Sequence, residues 1–262
     1  MVVVKEPFSI KSRLIAFLWH LVISVVVAAL CGLVVFGVWY PFPYNEISGG
    51  RELFFLVVAV DVICGPLLTA VLFNPVKPKP ELWRDLGLVV FIQLGALGYG
   101  FYTVWLARPV FLVMEIDRFK VVSAADFQGV PAQESLGQLS AALKPKWWSG
   151  PAVVAIREPV DEKERQTVMF ESLQGGADYA LRPNFYLPYV GDAAKKSLSR
   201  ARPLAVFLEK QPSQKDAAAA MAAAKNVAIS QWMYVPVVGR KDWIAILNSQ
   251  GGIEGFLPGD GF

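Results

Sequence analysis

The chain of 262 residues has one histidine, His20, and two cysteines, Cys31 and Cys64, and all three fall inside apolar stretches. Residues 108–262 carry neither residue type, which excludes a zinc site, a thiol nucleophile and a Ser-His-Asp triad in that part. Charge is also scarce: 18% of the residues are Asp, Glu, Lys or Arg, against about 25% in an ordinary soluble domain. The deficit is local. No charged residue occurs between Leu14 and Asn45, one (Asp61) between Leu53 and Val76, and none between Leu86 and Ala107. Each stretch reaches the roughly 20 apolar residues that span a bilayer, so a purely soluble protein is excluded. A hydrophobic share of 55% excludes disorder, and a net charge of +3 gives no argument for nucleic acid.

What is present reads as three transmembrane helices, about 14–40, 53–73 and 86–106, forming a domain over 1–107. About 21 residues of helix reach ~32 Å, against a hydrocarbon thickness of ~30 Å. Lys5, Lys11 and Arg13 precede the first helix, and Lys77, Lys79 and Arg84 lie in the second loop. The first loop has only Arg51, against Glu46 and Glu52. The positive-inside rule then places the N-terminus and second loop in the cytoplasm and everything after Arg108 outside it. Trp39, Tyr40, Tyr44, Tyr102 and Trp105 fall at outer helix ends and Trp83 at an inner entrance, where amphipathic rings sit. Pro41-Phe42-Pro43-Tyr44 reads as a rigid turn at the outer surface. The first apolar region is too long for a signal-peptide core, so it reads as an uncleaved anchor.

Residues 108–262 read as an extracytoplasmic α+β domain. Val110–Ile116 and Phe119–Ser123 flank Asp117-Arg118 as two strands around a tight turn, and Ala152–Ile156 is a short buried strand. Helices are expected over Glu134–Leu143, Glu162–Leu173 (stopped by Gly175-Gly176) and Asp192–Ala201. Ser213 and Asp216 match a capping box ahead of an alanine-rich helix over 217–224. Trp232–Val238 and Asp242–Leu247 form a hairpin around Gly239-Arg240-Lys241, with Ile253–Leu257 as a third strand.

Asp61 is the sharpest single feature, because a carboxylate at that depth costs about 2.5–3.5 kcal/mol on insertion scales. It is either a polar contact for another membrane helix or a proton-linked site, or it is paired internally with Tyr99, Tyr102 or Gln93. Gly65-Pro66 is expected to bend the same helix, with Thr69 satisfying freed carbonyls. His20 and Ser24 share a helix face, but nothing nearby supplies an oxyanion hole. Ser24, Ala28 and Gly32 form a small-residue stripe at spacing four, as do Ala96 and Gly100, and such stripes let helix backbones approach closely. They pack either the protein's own helices or a guest helix. Cys31 and Cys64 read as small packing residues. Trp147-Trp148 is either an exposed anchor for a partner or core filling, and Lys195, Lys196, Arg200 and Arg202 read as a solvated face. Acids such as Glu158 and Asp161 have nothing around them that recommends catalysis.

Asp61-Val-Ile-Cys-Gly-Pro-Leu-Leu-Thr69, Gln93-Leu-Gly-Ala-Leu-Gly-Tyr-Gly-Phe-Tyr-Thr103, Ala107-Arg-Pro-Val-Phe-Leu-Val-Met-Glu-Ile-Asp-Arg-Phe119 and Gly255-Phe-Leu-Pro258 resemble the type IV pilin accessory proteins, the TfpX/TfpZ family. The resemblance implies a bacterial inner-membrane protein that assists one pilin like a chaperone; the missing His and Cys outside the apolar stretches argue against an enzyme, and no residue pattern calls for a cofactor. Its partners would be a type IV pilin subunit, a single membrane helix topped by a globular head, and other inner-membrane pilus assembly proteins. It supplies no active site; the residues expected to meet the partner are Ser24, Ala28, Gly32, Asp61, Gly65, Pro66, Trp147 and Trp148. A reading from another class is a membrane-anchored periplasmic sensor or ligand-binding protein, whose short cytoplasmic segments would leave signalling output to a separate partner.

Overall fold

The computed structural model describes residues 10–128 and 130–262. Chain contacts divide it into two units, one made of residues up to Gly37 plus Arg51–Trp105, the other of Val38–Gly50 plus Leu106–Phe262.

Among the described residues, three helices are long and apolar enough to cross a membrane. Helix α1 (Ile10–Val34) runs on through a π-helical turn, Val35–Trp39. The short α2 (Tyr44–Ile47) belongs to the second unit; α3 (Gly50–Leu72) and α4 (Lys79–Leu106) complete the first. All three long helices start earlier than the apolar pattern alone indicates, because each opens on a polar stretch that a helix tolerates, over Ile10–Arg13, Gly50–Glu52 and Lys79–Asp85. Pro66 lies inside α3 without ending it. Small residues set the close approaches. A Cβ on Gly32 would stand 3.3 Å from Phe54 Cζ, and one on Gly100 2.5 Å from Val57 Cγ1. Phe36 meets Phe54 edge to face at 5.1 Å.

The second unit is an α/β domain on a mixed sheet. Its elements are β1 (Pro109–Met114), β2 (Phe119–Ser123), α5 (Val130–Gln138), β3 (Ala152–Ile156), α6 (Glu162–Leu173), β4 (Tyr186–Pro188), α7 (Asp192–Ser197), β5 (Arg202–Pro203), α8 (Leu204–Lys210), α9 (Lys215–Lys225), β6 (Met233–Val238), β7 (Trp243–Leu247) and β8 (Ile253–Pro258). The strand order is β4-β3-β1-β2-β6-β7-β8, with β5 pairing β6. The β1–β3 and β2–β6 pairs are parallel and the rest antiparallel.

Side chains on a strand alternate between faces, and here both faces are covered. Leu112, Met114, Ala245 and Leu247 enter one core cluster, Phe111 and Val113 a second, and Ile244 and Ile246 a third, under α8 and α9. Double coverage is why these strands read as unbroken apolar runs.

The expected strands over 110–123, 152–156 and 232–257 are present, and α6 has the expected bounds, stopping at Gly175 with φ +82°. Three expectations shift. Helix α5 lies earlier than Glu134–Leu143, and α7 stops at Ser197. The Ser213 capping box does not form: Pro212 opens a 3-10 turn over Pro212–Gln214, so Gln214 takes the N-cap position of α9. A carboxylate does answer a serine at Asp126, which accepts from the Ser123 backbone N–H at 2.7 Å and hydroxyl at 2.8 Å.

The 38–50 segment holds more than a turn. Ile47 and Tyr44 are members of the core cluster containing Leu112 and Val237, and Tyr44 meets Phe256 at 5.9 Å. Burial pushes the Tyr44 phenol well above its ordinary pKa.

Candidate functional site

A cleft of about 340 Å³ opens within the first unit among α1, α3 and α4. Its walls are mostly apolar, with Ile23, Val27, Val90, Leu94 and Leu97 among them, and His20, Ser24, Asp61, Thr69 and Gln93 supply polar groups. Gln93 is the hub. Its Nε2 donates to the Asp61 backbone carbonyl at 3.1 Å and more weakly to Ser24 Oγ at 3.5 Å. Gly65 packs directly on the Gln93 amide, leaving no room for a Cβ. Towards the other end of the cleft, His20 Nδ1 pairs with Thr69 Oγ1 at 2.5 Å.

Among the described residues, two acceptors in this cluster are buried without a hydrogen-bond partner, Asp61 Oδ1 and Gln93 Oε1. The Asp61 residue is 8% exposed. A buried polar group left unpaired costs about 1–3 kcal/mol, so the cluster holds an unmet demand for hydrogen-bond donors. The cleft therefore sets apolar walls beside two acceptors that a donor entering it would reach once the Asp61 or Gln93 side chain turned towards it.

The residues singled out from sequence divide three ways. Ser24 (4% exposed), Asp61 and Gly65 come together around Gln93. Ala28 is half-buried further along α1, and Gly32 packs on Phe54, so both ends of the Ser24/Ala28/Gly32 stripe meet the bundle's own helices. Pro66 is buried in α3 beside Gly65. Trp147 and Trp148 lie in the other unit, 65% and 58% exposed, which removes core filling as their role. Of the three partners weighed for Asp61, Gln93 is the one in contact, through the backbone carbonyl, while Tyr99 and Tyr102 are exposed. Thr69 pairs with His20 rather than with a freed carbonyl. Gln93 was legible only as the lone amide of its apolar stretch; its central place depends on how the helices cross.

Several charged groups of the α/β unit are paired within the fold. Arg157 grips Glu164 with two hydrogen bonds of 2.9 and 2.8 Å and lies 4.1 Å over the Phe185 ring. That pairing, with the Val160 N–H at 2.7 Å, holds the Glu164 carboxyl down at about 2. Burial pushes the Glu115 carboxyl up, although its Oε1 accepts from the Ala180 N–H at 3.2 Å. Glu158 pairs with Lys196, and Asp161 caps α6 by accepting from the Glu164 N–H at 2.7 Å. Lys195, Lys196, Arg200 and Arg202 are exposed, as a solvated face requires.

Three helices long and apolar enough to cross a membrane, with a cleft carrying polar groups among them, together with a mixed-sheet α/β unit define the class of this protein. The comparisons narrow this. A fimbrial assembly protein of serogroup I from Dichelobacter nodosus is 34% identical over 246 residues, 93% of either chain. One of serogroup E1 from the same organism is 36% identical over 248 residues, again 93% of either chain. One of serogroups C1 and C2 is 50% identical over 107 residues, 41% of this chain and 82% of that protein. The profile described as fimbrial assembly protein FimB matches residues 8–49. The chain belongs to the fimbrial assembly protein FimB family. No solved structure matches it.

Proposed function

We propose that this protein is a non-enzymatic, chaperone-like accessory of type IV pilus biogenesis that holds one pilin subunit by its membrane helix until assembly. In this reading it spans the bacterial inner membrane, N-terminus in the cytoplasm, with the α/β unit in the periplasm selecting the pilin head. The membership of a fimbrial assembly family supports the general role. The observation that carries the specific one is the cleft, with apolar walls and two buried acceptors, Asp61 Oδ1 and Gln93 Oε1, lacking donors.

A cleft of about 340 Å³ admits side chains of a guest helix rather than the helix itself. The guest would lie against Ile23 and Leu94, both exposed on the cleft walls, and offer a donor towards Asp61. Because such a donor gains little elsewhere in hydrocarbon, a single well-placed one discriminates between guests. Ala28, Gly65 and Pro66 shape the approach, and Ser24 and Gly32 hold α1 in place beneath it.

The test is a photo-crosslinking residue at Leu94 in cells that express a type IV pilin, with adducts identified by mass spectrometry. Pilin adducts lost on Asp61→Leu are expected. Adducts to lipid or to the protein's own helices alone would overturn helix capture.

A further inference from the structure

The segment Lys144-Pro-Lys-Trp-Trp-Ser149 is exposed except for a half-buried Pro145, in a unit that buries its other tryptophans Trp39, Trp232 and Trp243. Two observations say what covers it. The first is where it is tied. Trp39 closes the apolar helix Ile10–Trp39, and its Nε1 donates to the Trp147 carbonyl at 3.0 Å. At the other end of the loop a Cβ on Gly150 would lie 2.7 Å from Pro41 Cγ, so the loop is pinned twice to the segment that leaves that helix. The chain's entry from α4 lies alongside: buried Arg108 is within electrostatic reach of Tyr40. Phe42, next along, is 74% exposed.

The second observation is charge. No Asp or Glu occurs from Ser135 to Arg157, and the loop's own charges are the exposed Lys144 and Lys146. Indoles beside lysines, at the level where an apolar helix ends, match the chemistry of a phospholipid headgroup layer: amphipathic rings sit among the headgroups, and ammonium groups meet anionic phosphates.

We infer that Lys144–Ser149 is a lipid-interface anchor, with Trp147 and Trp148 embedded in the headgroup layer of the leaflet where the first apolar helix ends. The anchor holds this loop of the α/β unit in the headgroup layer. It rests on the proposed insertion of the three helices, not on pilin capture.

The test uses the full chain with Cys31 and Cys64 replaced by Ala, reconstituted in phosphatidylethanolamine–phosphatidylglycerol vesicles. A nitroxide is placed at Ser149→Cys, at Ala96→Cys on the exposed surface of α4, or at Gln250→Cys in an exposed turn. Collision rates with oxygen and with a water-soluble nickel chelate report depth. Position 149 should show an oxygen-to-nickel ratio between those of 96 and 250. Trp147→Ala/Trp148→Ala should bring it to the value at 250, and each lysine replaced by Ala should lower the embedded-to-free ratio about fivefold. A label at 96 that collides freely with nickel would sink the membrane placement itself. A label at 96 that is shielded beside a nickel-accessible 149 would overturn the anchor alone. Shielding of 149 that appears only when a pilin is added would make the loop a protein-docking surface and overturn the lipid assignment.

Discussion

Gly239 stands directly against Ile47: a Cβ there would lie 2.5 Å from Ile47 Cγ2 and 2.7 Å from the Ile47 carbonyl oxygen. That carbonyl accepts from the N–H groups of Arg240 and Lys241 at 2.8 and 3.1 Å, and Lys241 reaches Glu46 at 3.4 Å. The turn of the β6–β7 hairpin thus closes over a loop far away in sequence, and Ile47 fills the core beneath it at 0% exposure. The link between the first two apolar helices is therefore a structural part of the α/β unit.

Shortening Ile47 should consequently damage residues 108–262. Ile47→Ala is expected to cost about 2–5 kcal/mol, the range for a truncated core aliphatic. Gly239→Ala should act in the same direction, since it meets backbone that cannot swing aside. Limited proteolysis of the full chain in detergent would show faster cleavage within the sheet for both variants. Cleavage as slow as in the parent would mean that the loop merely rests on the sheet.

What was legible in the sequence follows the range of the interaction. The β1–β2 and β6–β7 hairpins and α6 are written in neighbouring residues: a short Glu115–Arg118 connection centred on Ile116-Asp117 rather than on Asp117-Arg118, a Gly-containing turn, and a helix with an Asp161 cap and a Gly175 stop. Ile47 was invisible because its partners lie near position 240. Strands β4 and β5 are only 3 and 2 residues long and contain proline, so pairing with β3 and β6 defines them rather than propensity. At the cleft, Asp61 announced itself as a lone charge in an apolar run. Which atom of Gln93 faces it, and that His20 pairs with Thr69 instead of serving Ser24, depends on helix rotation that periodicity does not fix.

If Asp61 is kept for a partner rather than for the fold, removing its carboxylate should not harm the isolated protein. Asp61→Leu eliminates one unpaired buried acceptor and leaves the Gln93 bond to the position 61 backbone carbonyl in place. We expect a gain of about 1–3 kcal/mol, read as a raised unfolding midpoint in detergent. Gln93→Leu removes two donor contacts, worth about 0.6 kcal/mol each, together with the unpaired Oε1, so its midpoint should rise less than that of Asp61→Leu. A lowered midpoint for Asp61→Leu would make Asp61 a structural residue.

Acid should weaken the α/β unit through Glu164. Its folded-state pKa is depressed, so the stability it contributes is fully present above the ordinary value of 4.5 and is lost as pH falls towards about 2. Protease resistance should decline across that window. Glu164→Gln should start lower at neutral pH and decline less, because the Arg157 clamp is already absent. An identical acid profile for parent and variant would remove the clamp from the account.

Two glycines of α4 should separate packing from exposure. A Cβ at Gly100 would press on Val57 Cγ1 at 2.5 Å and Cγ2 at 3.0 Å, whereas one at Gly98 would meet nothing within 4 Å. Where no hydrophobic force joins helices in lipid, close backbone approach is the main source of their association. Gly100→Val should therefore push α4 off α3 and lower the unfolding midpoint by an amount in the overpacking range, about 1–3 kcal/mol. Gly98→Val should leave it unchanged or raise it slightly, since valine constrains the helix more than glycine does. The Gln93 contacts to α1 and α3 lie about two turns from Gly100 on the same helix, so Gly100→Val should also reduce crosslinking from Leu94. Equal tolerance of both substitutions would show that the polar cluster, rather than the α3–α4 approach, holds the cleft in shape.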